Sequence, residues 1–436
     1  MAAAPPLKAD ELQPHPPKEQ LPGVSFCITS PPPWPEAIIL GFQHFIVMLG
    51  TTVIIPSALV PQMGGGNDEK ARVIQTLLLV AGINTLFQTF FGSRLPVVMG
   101  GSFTFVAPTI SIILAGRYNN EADPHEKFLR TMRGTQGALI IASTIQIILG
   151  FSGLWRNVLR LLSPLSAVPL VSLLGFGLYE LGFPGVAKCV EIGLPELILL
   201  VAFSQSTGAF IAASRYASAT MIPPSIISRG IGWQGIGILL DSFFGTANGT
   251  SVSVENVGLL ALTNIGSHRV VQICAGFMIF FAILGKFGAL FASIPLPIFA
   301  GMYCVFFTYV GACGLSFLQF CNLNSFRTKF IMGFAFFMGL SVSQYFNEYT
   351  AVAGYGPVHT GARWFNDMIN VLFSSKLFVA GLVAYFLDNT IKTYDNTVRK
   401  DRGYHWWDKF RSFKKDARSE EFYSLPFNLN KFFPSV

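Results

Sequence analysis

Between residues 37 and 387 the chain is a succession of apolar runs, most of them long enough or nearly long enough to cross a bilayer and most joined by short polar connections. They fall at 37–60, 73–92, 95–115, 134–154, 161–179, 193–213, 230–245, 251–263, 270–294, 296–320, 330–346 and 377–387, about twelve when the usual length guide of roughly 18 residues is applied loosely. Inside a bilayer every backbone amide must find its partner within the protein, so runs of this kind cross as helices. Only 12% of the 436 residues are charged, against roughly a quarter in a soluble domain. An ordinary soluble enzyme is excluded, and the fold class is an all-α polytopic membrane protein embedded in the lipid bilayer.

The two ends differ from the middle. Residues 1–36 hold ten prolines and lack the basic start and short apolar core of a signal peptide, so they read as a disordered tail. Ten of the 30 basic residues lie beyond Ile391, from Lys392 to Lys431. Because the positive charge sits in this tail, a nucleic-acid footprint is a poor reading of the net charge of +7. Lys and Arg in the loops divide almost evenly between the two sides, and the basic tail places both termini in the cytoplasm. Within it Trp406, Trp407, Phe410 and Phe413 alternate with basic residues as in an interfacial helix. No CxxC pair or metal-ligand cluster occurs, so no metal or other cofactor is implied.

Polar groups inside the runs carry the functional information. Run 95–115 is interrupted by Gly100, Gly101 and Ser102, and run 251–263 opens on small polar residues and carries Glu255 and Asn256 at its middle. Broken segments at corresponding positions of two halves mark substrate sites in transporters, where unwound backbone frees amides for a ligand. A carboxylate at mid-span costs roughly 2.5–3.5 kcal/mol on insertion scales, and Glu255 has Ser253, Asn256 and Gly258 around it rather than a basic partner. It is read as a ligand contact. Gln43 and His44 fit either a role in the site or hydrogen bonding between helices, while Asp241 and Lys286 read as structural partners or interfacial groups.

These residues resemble the motifs of the nucleobase-ascorbate transporter family, in a plant-type form. Its tenth-span signature has Gln, Glu or Pro, then Asn, any residue, Gly, four more, and Thr. Glu255, Asn256, Gly258 and Thr263 fit it, whereas Asn264 departs at the closing position. Gln43-His44 matches the first-span motif and Ser102-Phe103 the third-span motif, whose backbone meets the substrate in the family. Glu255 points to the nucleobase branch rather than to ascorbate carriers.

The resemblance implies fourteen spans in two inverted repeats, with a substrate-holding core domain and a gate domain, and nucleobase uptake together with protons. In that frame residues 37–154 and 205–294 are the two parts of the core, 161–204 and 296–391 the two parts of the gate, and 392–436 the tail. Family resemblance also implies a plasma-membrane location and a homodimer formed through the gate.

About twelve spans stand where the family has fourteen. Residues 196–204 resemble the start of the family's sixth span and 206–219 the end of its eighth, so run 193–213 reads as a fusion that preserves the direction of everything downstream. Gln205 then stands where the family has a base-binding Glu linked to proton coupling. Glutamine still hydrogen-bonds a base edge but does not ionise, which leaves proton coupling in doubt and, with gate helices missing, implies lower stability. Two readings follow: a nucleobase–proton symporter working by alternating access, or a transport-deficient product of splicing, gene-model error or decay. A membrane-embedded enzyme lacks any nucleophile–base pair here, and an anion carrier of the same fold would not favour Glu255.

Overall fold

The structure is a computed structural model that describes residues 31–102, 105–114, 123–154, 163–176, 224–263, 265–293, 321–391 and 423–432, together with Phe26, Glu121 and isolated positions between 298 and 318. The first helix, α1 (Trp34–Met63), opens on Pro35 and is stopped by Gly64 in the left-handed conformation at φ 97°. Proline is favourable in a first helical turn and glycine just past a last one, so the sequence punctuates both ends. Helix α2 (Asn67–Phe90) follows at once, its start held by Glu69, whose Oε2 accepts the Gly66 amide at 2.9 Å.

The chain then leaves the helical pattern where the sequence predicts it. Strand β1 (Met99–Gly101) leads into the short helix α3 (Val106–Leu114), and α4 (Pro124–Phe151) and α5 (Pro164–Phe176) complete the first half. After α6 (Pro224–Phe244), strand β2 (Thr250–Val252) leads into a second short helix, α7 (Val254–Thr263). Run 270–294, read as one span, is instead two helices, α8 (His268–Ile283) and α9 (Gly285–Ala292), because Leu284 takes an extended backbone at ψ 96°. Helices α10 (Phe326–Ala353), α11 (Arg363–Ser374) and α12 (Lys376–Thr390) close the described helices, and a short 3-10 turn spans Pro426–Lys431. Helix α11 lies outside the apolar runs because it is amphipathic, so polar residues alternate with apolar ones along its sequence.

The helices fall into two packed groups. In the first, α2 lies against α8 and α6 against α4, with α2 also touching α6 and α1 touching α8. Its centre is Phe45, Met48, Leu49, Ile74, Leu78 and Met278, extended by a stack in which the rings of Phe45 and Phe281 lie 4.9 Å apart and those of Phe281 and Phe287 4.3 Å. In the second group α12 packs against α10 and α5. There the Arg327 guanidinium meets Asp388 at 2.8 Å, both side chains nearly buried, and also donates to the Asp388 and Ile391 carbonyls.

By length and composition α1, α2 and α4 are long and apolar enough to cross a membrane. The twelve-span count, the fusion at 204–206 and the amphipathic stretch around Trp406 rest on sequence, since runs 193–213 and most of 296–320 and residues 392–422 lie outside the described residues.

Candidate functional site

The two interrupted runs meet. Strands β1 and β2 pair antiparallel, with Met99 opposite Val252, Gly100 opposite Ser251 and Gly101 opposite Thr250. The ladder extends one residue each way, from the Ser102 amide to the Gly249 carbonyl at 3.1 Å and from the Ser253 amide to the Val98 carbonyl at 2.8 Å. Two extended segments that would each leave unpaired amides at membrane depth thus satisfy one another. Small residues make the close approach possible: a Cβ on Gly249 would stand 2.7 Å from the Phe105 ring, and one on Gly101 3.2 Å from Ile55 and Leu77.

A hydrogen-bond chain runs from α1 to the start of α7. His44 Nδ1 lies 2.9 Å from Asn256 Oδ1, Asn256 Nδ2 donates to Ser253 Oγ at 3.0 Å, and Ser253 Oγ donates to Glu255 Oε2 at 2.7 Å. The direction follows from donor counting. A serine hydroxyl has one proton, and directing it to the carboxylate leaves its lone pairs for the Asn256 amide nitrogen. Asn256 must then present its oxygen to His44, so His44 Nδ1 carries a proton. Ser253 also accepts the Asn256 backbone amide at 3.4 Å, capping α7, and Glu255 lies in the first turn, where the helix dipole favours a carboxylate.

A second polar group lies on the other side of the strand crossing. Asp241 Oδ2 accepts both the backbone amide and the hydroxyl of Thr250 at 2.7 Å, and Asn84 donates to the same hydroxyl. Asp241 is therefore a structural partner that ties α6 to β2. Near it Asn248, fully buried, leaves both its side-chain atoms without a partner, as do Asn84 Oδ1 and Asp241 Oδ1. Unmet polar atoms cost about 1–3 kcal/mol each, and such a cluster suits a bound water or an amide-like ligand edge. Asn248 was not singled out by the sequence. Its signal is the polar, small-residue segment 246–251 directly before β2.

The sequence candidates sort clearly. His44, Ser102, Asp241, Glu255 and Asn256 are all buried around the strand crossing. Gln43 is exposed and does not share the His44 environment, because consecutive helical residues point about 100° apart. Gly258 falls within α7, and Thr263 directs its hydroxyl to the Leu259 carbonyl of its own helix at 3.0 Å. Lys286 is exposed at the start of α9. Phe103, Gln205 and Asn264 lie outside the described residues.

The Permease family's model matches residues 35–195 and 192–348, covering both broken segments. Nucleobase-ascorbate transporter 6 of Arabidopsis thaliana is 62% identical over an alignment of 527 positions that takes in 99% of each chain. The chain belongs to the nucleobase-ascorbate transporter family. It is a multi-pass membrane transporter. Nucleobase-ascorbate transporter 5 of the same plant is 60% identical over the whole of both chains, and Nucleobase-ascorbate transporter LPE1 of Zea mays is 47% identical over 99% of this chain. The 527 positions of the first alignment exceed the 436 residues here by 91, so at least that many positions of this relative have no counterpart in this chain. The two stretches matched by the family's model meet at 192–195, close to where the sequence reads a fusion.

Proposed function

We propose that this family member is a secondary active transporter for nucleobases such as uracil, xanthine or uric acid, with the base held beside Glu255, Asn256, Ser102 and Phe103. The observation that carries the reading is the chain from His44 through Asn256 and Ser253 to Glu255, set beside the strand crossing of two broken spans. A base presents flat edges of N–H donors and carbonyl acceptors, and a carboxylate with neighbouring amides complements them. Its relatives, named nucleobase-ascorbate transporters, point to the same substrate class.

The working cycle we propose is alternating access in an inverted-repeat fold, with a core formed by α1–α4 and α6–α9 and a gate containing α5 and α10–α12. Pairing supports the repeat: exchanging α2 with α6 and α4 with α8 turns the α2–α8 contact into the α6–α4 contact, and β1 with β2 lies on the exchange axis. The proposal includes proton symport, both termini in the cytoplasm, a plasma-membrane location and a homodimer through the gate. Expression in cells lacking their own base carriers should raise uptake of radiolabelled uracil, xanthine or urate, more so as the outside is acidified. Surface-localised protein with no uptake at any pH would overturn the reading.

A second reading is a transport-deficient form. It is favoured by the 91 positions of Nucleobase-ascorbate transporter 6 that have no counterpart here and by Gln205. Sequencing transcripts across residues 204–206 separates the two, because a majority carrying the additional segment would make this chain a minor product.

A further inference from the structure

At one end of the first helix group two arginines converge without an acidic partner among the described residues. Arg229, near the start of α6, is 3% exposed; its Nε donates to the Gly92 carbonyl at 2.7 Å and its Nη2 to the Tyr423 carbonyl at 2.9 Å. Arg94, in the turn after α2, holds a left-handed backbone at φ 56° and donates to the Ser424 carbonyl. Arg229 Nη1 and Arg94 Nε are buried and have no hydrogen-bond partner among the described residues. None of the ion pairs among the described residues involves either guanidinium.

Buried charges in proteins are almost always paired, because an isolated one gives up its hydration without compensation. Here two like charges share a site, one from the second turn of α6 and one from the turn after α2. Carbonyl oxygens of Gly92, Tyr423 and Ser424 supply only partial negative charge. A non-glycine residue held in the left-handed region is a sparsely populated state that tends to mark functional sites. We propose that Arg94 and Arg229 form a binding site for a phosphate-class oxyanion, with Tyr423 and Ser424 as its cover. Guanidinium forks match such oxygens in pairs, and the two carbonyls now occupy the position the oxyanion oxygens would take.

The location allows two sources for that oxyanion. The same end carries the start of α8, where His268 contacts the Arg94 carbonyl, and the start of α1, where Arg269 reaches the Pro32 carbonyl and stacks on Trp34. It is thus a helix-terminus surface, within reach of a phospholipid headgroup as well as of free phosphate.

The test uses the full chain purified in detergent and in lipid nanodiscs, with the thermal unfolding midpoint as readout. Inorganic phosphate is compared with chloride at equal ionic strength, and phosphatidylcholine discs with discs that also contain phosphatidic acid. Arg94→Gln is the informative variant because its side chain is only half-buried, and Arg269→Gln is the control for charge at the same end. A shift with phosphate, lost in Arg94→Gln and kept in Arg269→Gln, supports a soluble ligand. The same pattern seen only with phosphatidic acid supports a lipid headgroup. No shift in either medium, an undiminished shift in Arg94→Gln, or equal loss in both variants would overturn the proposal.

Discussion

His44 Nδ1 and Asn256 Oδ1 lie 2.9 Å apart although 212 positions separate them in the chain. Both are buried, and the bond joins α1 to the first turn of α7. Because Asn256 spends its amide nitrogen on Ser253, His44 is the donor, and in its neutral form Nε2 keeps a lone pair that an N–H of a ligand can use.

That bond should register as energetic coupling. His44→Ala and Asn256→Ala, made singly and together, are expected to show a non-additivity of about 1 kcal/mol in thermal or denaturant stability. Strict additivity would mean that the contact contributes nothing.

For Glu255 the expectation is a loss of transport without loss of protein. Glu255→Gln keeps the volume and one acceptor but removes the charge, and hydrogen bonds to charged groups contribute roughly 1.5–3 kcal/mol. Uptake or base binding should fall by about one to two orders of magnitude, with surface expression unchanged. Ser253→Ala should give a smaller loss together with a destabilised α7, because one hydroxyl both supports the carboxylate and caps the helix.

Gly249→Ala is a packing test of the strand crossing. The new methyl would meet the Phe105 ring at 2.7 Å, and overpacking of this kind costs typically 1–3 kcal/mol. Detergent-extracted protein should unfold at lower temperature, and Phe105→Leu, which opens space at that contact, should recover part of the loss.

In the second helix group the Arg327–Asp388 pair is nearly buried on both sides. Removing one partner of such a pair leaves an uncompensated charge and costs about 3–5 kcal/mol. Asp388→Ala should therefore sharply reduce the fraction that survives size-exclusion chromatography after heating. Replacing both residues, by Arg327→Met with Asp388→Leu, should be much less harmful.

Several features are legible in the sequence. The interruptions at 100–102 and 251–253 showed as glycine and small polar residues inside apolar runs, and each overlaps a short strand, Met99–Gly101 and Thr250–Val252. Glu255 and Asn256 stood out because an acid and an amide are costly in such a run. The break at Leu284 was hidden, since apolarity continues through it and only the backbone turns. The Arg94 and Arg229 site was equally hidden: each arginine reads alone as an ordinary flanking charge.

What the sequence determined by itself is the solvent and the places of departure from it. Transfer into lipid is a local property, so apolar runs, their interruptions and their polar residues are written residue by residue. Tertiary structure alone decided partnership. It turned His44 inward and Gln43 outward, though they are neighbours, because a helix rotates each residue about 100° from the last. It also set β1 against β2, gave Thr250 to Asp241, and brought the Tyr423 and Ser424 carbonyls onto Arg229 and Arg94. Such contacts join residues 9 to 330 positions apart. No periodicity along the chain encodes them, since they arise only when helices pack and buried donors must each find an acceptor.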